Sequence, residues 1–388
     1  MQETSRTTST AEHPASRFGS ATLDRVMALR APEHGVLSVY LNIEPSEMQR
    51  EGYEATLLDL WKPLRSRVRG TASESRVEDE ITRINAYVRG WKEAPGRSVA
   101  IFSSTPHDAF IPVALDVPVL GGARFGPRPV LVPLMAALDE HERYCVALVD
   151  AETAHILSVW MGRIDERIEF TDQVPGRNAT GGWSQAGRAR HREYHVDEHM
   201  RHVVDELWRL NRRTPFDRLI IGGPQEALAA FKMALTRPLA AKVAGEFAGE
   251  MFASDAAILE RVRGIAEEAE RAHEKALVED ILVRAPKRQL AATGWDDTLA
   301  ALTEGSAHQL VLVDGVTVAG CACPDGHAIV RWRVDQCPVC DKAMEPEPDL
   351  GAAAVHLAMQ TDARIEFVRG EAADLLRPHG AGAILRYQ

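Results

Sequence analysis

At 388 residues, with 45% hydrophobic side chains and a formal charge of −11, the chain has the length of roughly two to four domains and the apolar content for well-formed cores. That acidity excludes a general nucleic-acid-coating protein. It does not exclude a local phosphate contact, which depends on where the basic side chains sit.

The first twenty residues are polar, rich in Ser and Thr, and lack the apolar stretch of a signal peptide. Residues 1–20 therefore read as a disordered tail. No apolar run approaches membrane-spanning length. Five cysteines, four of them between 321 and 340, do not form a secreted disulfide framework. These features predict a cytoplasmic protein with no membrane partner.

A first αβ domain is expected over 21–137. "GVLSVYLNIEP" reads as a strand ended by a proline turn, followed by helices near Glu51–Arg69 and Glu74–Trp91. "RSVAIFSS" and "AFIPVALDVPV" read as further strands, and "LGGARFGPRP" as a loop leaving the domain. A central domain is expected over 138–275. There "YCVALVDAETAHILSVW" has a hairpin pattern with its turn near Ala151–Thr153, and "RIDERIEF" supplies a third strand. Val196, Met200, Val203, Val204 and Leu207 recur at helical spacing. "DRLIIGGPQEALAAFKMAL" is a buried strand turning into a helix, with Gly222-Gly223 as a tight structural turn. The last αβ domain, over 276–388, alternates helix and strand through "TLAALTEGSAHQLVLVDG", "LGAAAVHLAMQTDARIEFV" and "GAILRY", with a cysteine-rich insert at 319–345. The fold class is thus mixed α/β, three consecutive αβ domains, the third carrying a small zinc-ribbon-like insert.

Within the central domain, the residues from Gln173 to Arg192 include Arg177, Arg188, Arg190 and Arg192 and no acid. Gly181 and Gly182 relieve backbone restrictions and let a partner approach closely. Gln185 offers an amide that cannot titrate but could position a water or stabilise an oxyanion. Beyond it, Arg188, Arg192, His195, His199 and His202 fall on one helical stripe. A tight turn and a solvated face are the plain alternatives.

Cys321-Ala-Cys323 and Cys337-Pro-Val-Cys340 are separated by thirteen residues. Two close thiol pairs supply the four soft ligands of a closed structural zinc site, with "AIVRWRVD" between them alternating as a hairpin strand. Buried or redox-active thiols are the alternative, and His327 is a substitute ligand.

The segments "VLSVYLNIEP", "GGWSQAGRARHREYHVDEHMRHVVDEL", "LIIGGPQEALAAF" and "LGAAAVHLAMQTDARIEFV…GAGAILRY" resemble the archaeo-eukaryotic class-1 release factor and Pelota superfamily, in its bacterial branch. The resemblance in organisation runs from about Ala21 onward. It implies a first domain in the ribosomal decoding site and a third that contacts a translational GTPase, with EF-Tu as the candidate. The middle domain would carry its glycine–glutamine loop to the peptidyl transferase centre. By that resemblance Gly181, Gly182 and Gln185 take the catalytic positions, and Trp183, Arg188, Arg190 and Arg192 contact ribosomal RNA. Cys321, Cys323, Cys337 and Cys340 would hold Zn2+ in a minidomain of the kind archaeal members carry.

This sequence departs from the family at two places. Trp183 and Ser184 separate Gly182 from Gln185, where release factors have contiguous Gly-Gly-Gln. The Asn-Ile-Lys-Ser and Tyr-x-Cys elements that read stop codons are absent from it. Termination at stop codons is therefore unsupported. The primary expectation is a Pelota-like hibernation or occupancy factor in the A site of stalled or idle 70S ribosomes. The alternative is a rescue enzyme that hydrolyses peptidyl-tRNA through Gln185.

Overall fold

The computed structural model describes residues 5–8, 16–17, 20–43, 50–174, 185–248 and 254–387. Ser5–Thr8 (β1) and Ser16–Arg17 (β2) are short strands within the polar first twenty residues. The first αβ segment continues with α1 (Ser20–Met27), β3 (Val36–Asn42), α2 (Arg50–Val68), α3 (Glu74–Arg89), β4 (Ser98–Ser104), β5 (Ala109–Leu115), β6 (Gly122–Gly126) and α4 (Val132–Glu140). Its five-stranded sheet has the order β2-β5-β4-β3-β6. The alternate residues Leu37, Val39 and Leu41 of β3 face Leu57, Trp61 and Leu64 of α2 and Val77, Ile81 and Ile84 of α3 in one core. The stretch read as a departing loop contains β6, paired antiparallel with β3. Its flanking glycines and prolines masked a strand of five residues.

The central segment contains β7 (Tyr144–Val149), β8 (Thr153–Trp160), β9 (Arg163–Thr171), α5 (Gln185–Arg213), β10 (Arg218–Gly222), α6 (Gln225–Ala234), α7 (Arg237–Ala240), β11 (Val243–Phe247) and α8 (Asp255–Arg284). The sheet order is β1-β9-β8-β7-β10-β11. The β7–β8 turn forms where expected, because the Asp150 carboxylate accepts from the backbone N–H groups of Glu152 and Thr153 at 2.8 Å. Side chains of β7 alternate between two cores. Cys145, Ala147 and Val149 meet Met200, Val203, Val204 and Leu207 of α5, while Val146 and Leu148 meet Ile258 and Val262 of α8. Covering both faces accounts for the near-continuous apolar strands. The fifth cysteine, Cys145, is packed there, and burial pushes its thiol pKa up.

The last segment contains β12 (Ala291–Thr293), α9 (Trp295–Thr303), β13 (Ala307–Val313), β14 (Gly320–Ala322), β15 (Ile329–Val330), β16 (Glu345–Glu347), α10 (Leu350–Gln360), β17 (Arg364–Val368), α11 (Gly370–Leu376) and β18 (Ala381–Leu385). Four strands form a sheet in the order β12-β18-β13-β17, and the insert has its own sheet, β15-β14-β16. The fold class is borne out: each segment has its own mixed sheet with helices packed on it. Of the "AIVRWRVD" stretch only Ile329 and Val330 pair as a strand, and Trp332 is exposed.

By compactness the chain forms two units, Met1–Ala11 with His141–Glu270 and Glu12–Glu140 with Arg271–Gln388. Within the second, the first and last segments dock through specific polar contacts. Asp139 accepts from the Phe367 backbone N–H at 2.6 Å, and His356 Nε2 donates to the Pro129 carbonyl at 2.6 Å. Burial lowers the His356 pKa, consistent with a neutral ring in that position. Among the described residues, no helix is long and apolar enough to cross a membrane.

The Gly222-Gly223 pair is a structural turn between β10 and α6. Gly223 has φ +148°, and a Cβ added there would lie 2.0 Å from the Val149 carbonyl oxygen. Gly223→Ala is therefore expected to destabilise the central unit by about 2 kcal/mol or more, through backbone strain and a clash that no rotamer relieves. Denaturant unfolding followed by exchange protection of β7 and β10 reads this out; a change under about 0.5 kcal/mol contradicts it.

Candidate functional site

The glycine–glutamine segment lies between the end of β9 and the start of α5. Gly181, Gly182 and Trp183 lie outside the described residues. Gln185 opens α5 and Arg188 lies in its first turn, with their side chains likewise outside the description. The first turn of α5 carries no acidic residue. The backbone N–H groups and positive dipole end of that turn therefore have no carboxylate of the turn itself to offset them. Arg190 and Tyr194 are exposed on the following turns, and Arg192 is half-buried. This end of the helix can receive an anion, in line with the local charge in the sequence.

The base of the segment is built from a different set of residues. Asp172 follows β9, and its carboxylate accepts from His199 Nδ1–H at 2.7 Å and from His202 Nδ1–H at 3.0 Å. The two imidazoles stand three residues apart on α5, so both reach one carboxylate. Phe170 packs beneath them, with ring centroids 4.2 Å from His202 and 5.8 Å from His199. The Asp172 backbone N–H donates to the Glu152 carbonyl at 2.8 Å. The His199 side chain is 0% exposed. Its Nε2 is enclosed without a hydrogen-bond partner among the described residues. Desolvation pushes the Asp172 carboxyl up, but the bonds and charges of His199 and His202 outweigh it and hold it below the usual carboxylate range.

The expected edge stripe of arginines and imidazoles is therefore divided. His195 lies 3.6 Å from Glu198 and stacks near His191, whereas His199 and His202 turn inward to Asp172. The i,i+3 histidine pair was visible in sequence. Its carboxylate partner was not, being 27 residues from His199.

The cysteine insert holds a second candidate site. One ligand atom each from Cys323, His327, Cys337 and Cys340 lies within 4.8 Å of all the others. Cys323 Sγ is 3.6 Å from Cys340 Sγ and 3.8 Å from His327 Nδ1. A tetrahedron with metal–sulfur bonds of about 2.3 Å has sulfur–sulfur edges of about 3.8 Å, so the donor set and spacing fit a closed four-ligand metal site. Cys321, expected as a ligand, is not in the cluster; His327 takes the fourth place. Cys321 is buried within β14, paired with Val330 and Pro346. Cys323 instead starts a tight turn, its N–H donating to Ala328 O and its carbonyl accepting from Gly326 N–H, both at 2.8 Å. The turn returns His327 to the Cys323 side. The sequence signal was Cys323-Pro-Asp-Gly-His327, which opens with Cys-Pro as Cys337-Pro-Val-Cys340 does.

Val339 N–H donates to Cys337 Sγ at 3.4 Å. Burial opposes the Cys323 thiolate, yet the N–H groups of His327 and Asp325 hold its pKa below the ordinary thiol range.

Comparisons with known proteins bear out the resemblance over the central segment. Residues 129–271 match the model of the bacterial archaeo-eukaryotic release factor family 10. The matched span includes the glycine–glutamine segment, Asp172 and α5, and leaves out the cysteine insert. No curated protein matches the chain. Among solved structures, the archaeal translation termination factor aRF1 aligns at 18% identity over 95% of this chain and 97% of its own, with a TM-score of 0.27. Pelota of Archaeoglobus fulgidus aligns at 13% identity over 64% and 66%, with a TM-score of 0.31. S. cerevisiae Dom34, a translation termination-like factor, aligns at 9% over 65% and 64%, with a TM-score of 0.40.

Two outcomes follow from these sites. The Asp172 pKa is depressed on folding, so its contribution is complete above about pH 4 and is lost as pH falls through the lower folded value. Asp172→Asn should flatten the acid limb of central-unit stability below about pH 4. Asp172→Ala should cost roughly 1–3 kcal/mol at neutral pH by leaving buried His199 without its acceptor. pH-dependent unfolding of the three proteins measures both effects. At the metal site, His327→Ala and Cys337→Ser should lose bound metal while Cys321→Ser keeps it, as read by elemental analysis. The reverse for Cys321 and His327 would restore the four-cysteine assignment.

Proposed function

We propose that the chain is a ribosome-associated factor of release-factor type. It occupies the A site of stalled or idle 70S ribosomes and directs Gly181–Gln185 toward the peptidyl transferase centre. The observation that carries this reading is the build of α5. One end emerges as an acid-free, arginine-rich helix start directly behind Gln185, while the other packs into the central core. The family match over 129–271 supports it.

In this reading Trp183, Arg188, Arg190 and Arg192 contact ribosomal RNA, supplying stacking and phosphate neutralisation. Asp172, His199 and His202 fix the root of the segment against the sheet. The two residues between Gly182 and Gln185 favour occupancy over hydrolysis, because water positioning is sensitive to displacements of about 1 Å. A translational GTPase such as EF-Tu delivers the factor, and the compartment is the cytoplasm. The metal is zinc in a structural role: all four positions are filled by protein ligands, leaving none for a reacting water. The second reading, a rescue factor that hydrolyses peptidyl-tRNA, is favoured by the position of Gln185 at the positive end of α5, where an oxyanion would be stabilised.

Single-turnover peptide release from 70S ribosomes with labelled peptidyl-tRNA and an empty A site tests both. Under the occupancy reading, wild type and Gln185→Ala co-sediment with ribosomes and neither releases peptide. Release by wild type, abolished in Gln185→Ala, establishes the hydrolase instead. Failure to sediment, with or without EF-Tu, overturns the ribosome reading. Arg190→Ala and Arg192→Ala should each weaken binding and lower the salt slope by about 1 if each neutralises one phosphate.

A further inference from the structure

We propose that Arg30 and Arg128 are positioning residues of the Cys323–His327–Cys337–Cys340 centre, acting on it from the first segment through the carbonyl of Pro324. This rests on the reading of that cluster as a metal site. Arg30 follows α1 and Arg128 follows β6, far from the insert in sequence. Both guanidinium groups nevertheless donate to the same oxygen, that of Pro324, with Arg128 Nη2 at 3.4 Å. Pro324 immediately follows one ligand, and the turn it belongs to ends at another, His327.

The orientation of one peptide group gives these contacts their effect. The Pro324–Asp325 peptide presents its carbonyl to the two cations from within the turn that joins Cys323 to His327. In a trans peptide the carbonyl and the N–H point in opposite directions, so holding the oxygen also fixes the direction of the Asp325 N–H. Two positive charges on the oxygen therefore hold this peptide in one orientation, and with it the turn that carries two of the ligands. The same turn is braced from its other side. Asp325 lies 3.9 Å from Arg30 and 2.7 Å from Lys342, which follows the second pair of ligands. Gly326, at φ +82°, packs so closely that an added Cβ would lie 3.1 Å from Arg128 Nη2. Arg30, Arg128, Cys323 and Pro324 line one cavity of 490 Å³.

Linkage makes the effect reciprocal. If the arginines favour the metal-bound turn, the metal favours their docking by the same factor. Other contacts between these segments, such as His356 to Pro129 and Asp139 to Phe367, involve none of the ligands and should persist without metal.

The test is zinc affinity of the full chain, measured by competition with a chromophoric chelator. The double variant Arg30→Ala/Arg128→Ala should bind one zinc with roughly tenfold or more weakened affinity. Arg128→Ala alone should weaken it by roughly threefold, and it carries the test if the double variant does not fold. Arg331→Ala, in the same insert but facing Asp296 at 3.5 Å, should leave affinity within about twofold. Reciprocally, removing zinc from wild type should accelerate amide exchange over 124–128 and leave β7 and β10 unchanged. Unaltered affinity in the arginine variants, or unaltered exchange at 124–128, overturns the positioning role while zinc binding stands. A wild-type chain that binds no zinc overturns the metal reading itself and the proposal with it.

Discussion

A single carboxylate sets the geometry on which the central segment depends. Asp172 stands where β9 ends, and it receives two imidazole donors from the far side of the Gly181–Gln185 segment. Without such a tie, the register of the helix relative to β9 would be fixed only by apolar packing. Apolar packing is non-directional; hydrogen bonds to an ionised group are directional and shorter. The bonds to His199 and His202 therefore fix the rotation of the helix, with Arg190 exposed and Arg192 half-buried on the turns that precede them.

The metal cluster illustrates a different source of order. The insert has three strands of two or three residues and a small apolar cluster of Cys323, Ala328 and Cys337, far too little to hold itself together by burial. Its definition comes from ligand chemistry and from the charged neighbours around the Cys323–His327 turn. The central sheet, buried on both faces, needs neither.

How far the sequence could be read followed the range of the interactions involved. Period-2 and period-3.6 patterns are local, and they located β3, β7, β8, α2, α3 and the apolar face of α5 within a residue or two. β6 was missed because glycine and proline, usually breakers, border it, and its pairing with β3 is a long-range fact. The helix α8, 30 residues long, drew no prediction, and the boundary expected near 275 falls within it. Its apolar residues serve different cores along its length, so no single stripe dominates. Three metal ligands were legible as cysteines. His327 was legible only as a substitute ligand, because Cys321 offered a more familiar ligand type, and only the turn at Cys323 decides between them. The Asp172 partnership had no sequence signal beyond the spacing of its two histidines.

One dimension of α5 has a mechanical meaning. Its 29 residues make a rod of about 43 Å, and Gln185 stands about 21 Å along the axis from His199. The fixed end and the leading end are thus separated by a lever arm longer than a nucleotide is wide. A tilt of about 3° at the fulcrum would sweep the tip by about 1 Å, the scale on which reacting groups lose alignment. Aim at the tip is therefore set by stiffness at the root. A substitution at the fulcrum would misdirect the far end without touching anything that end meets.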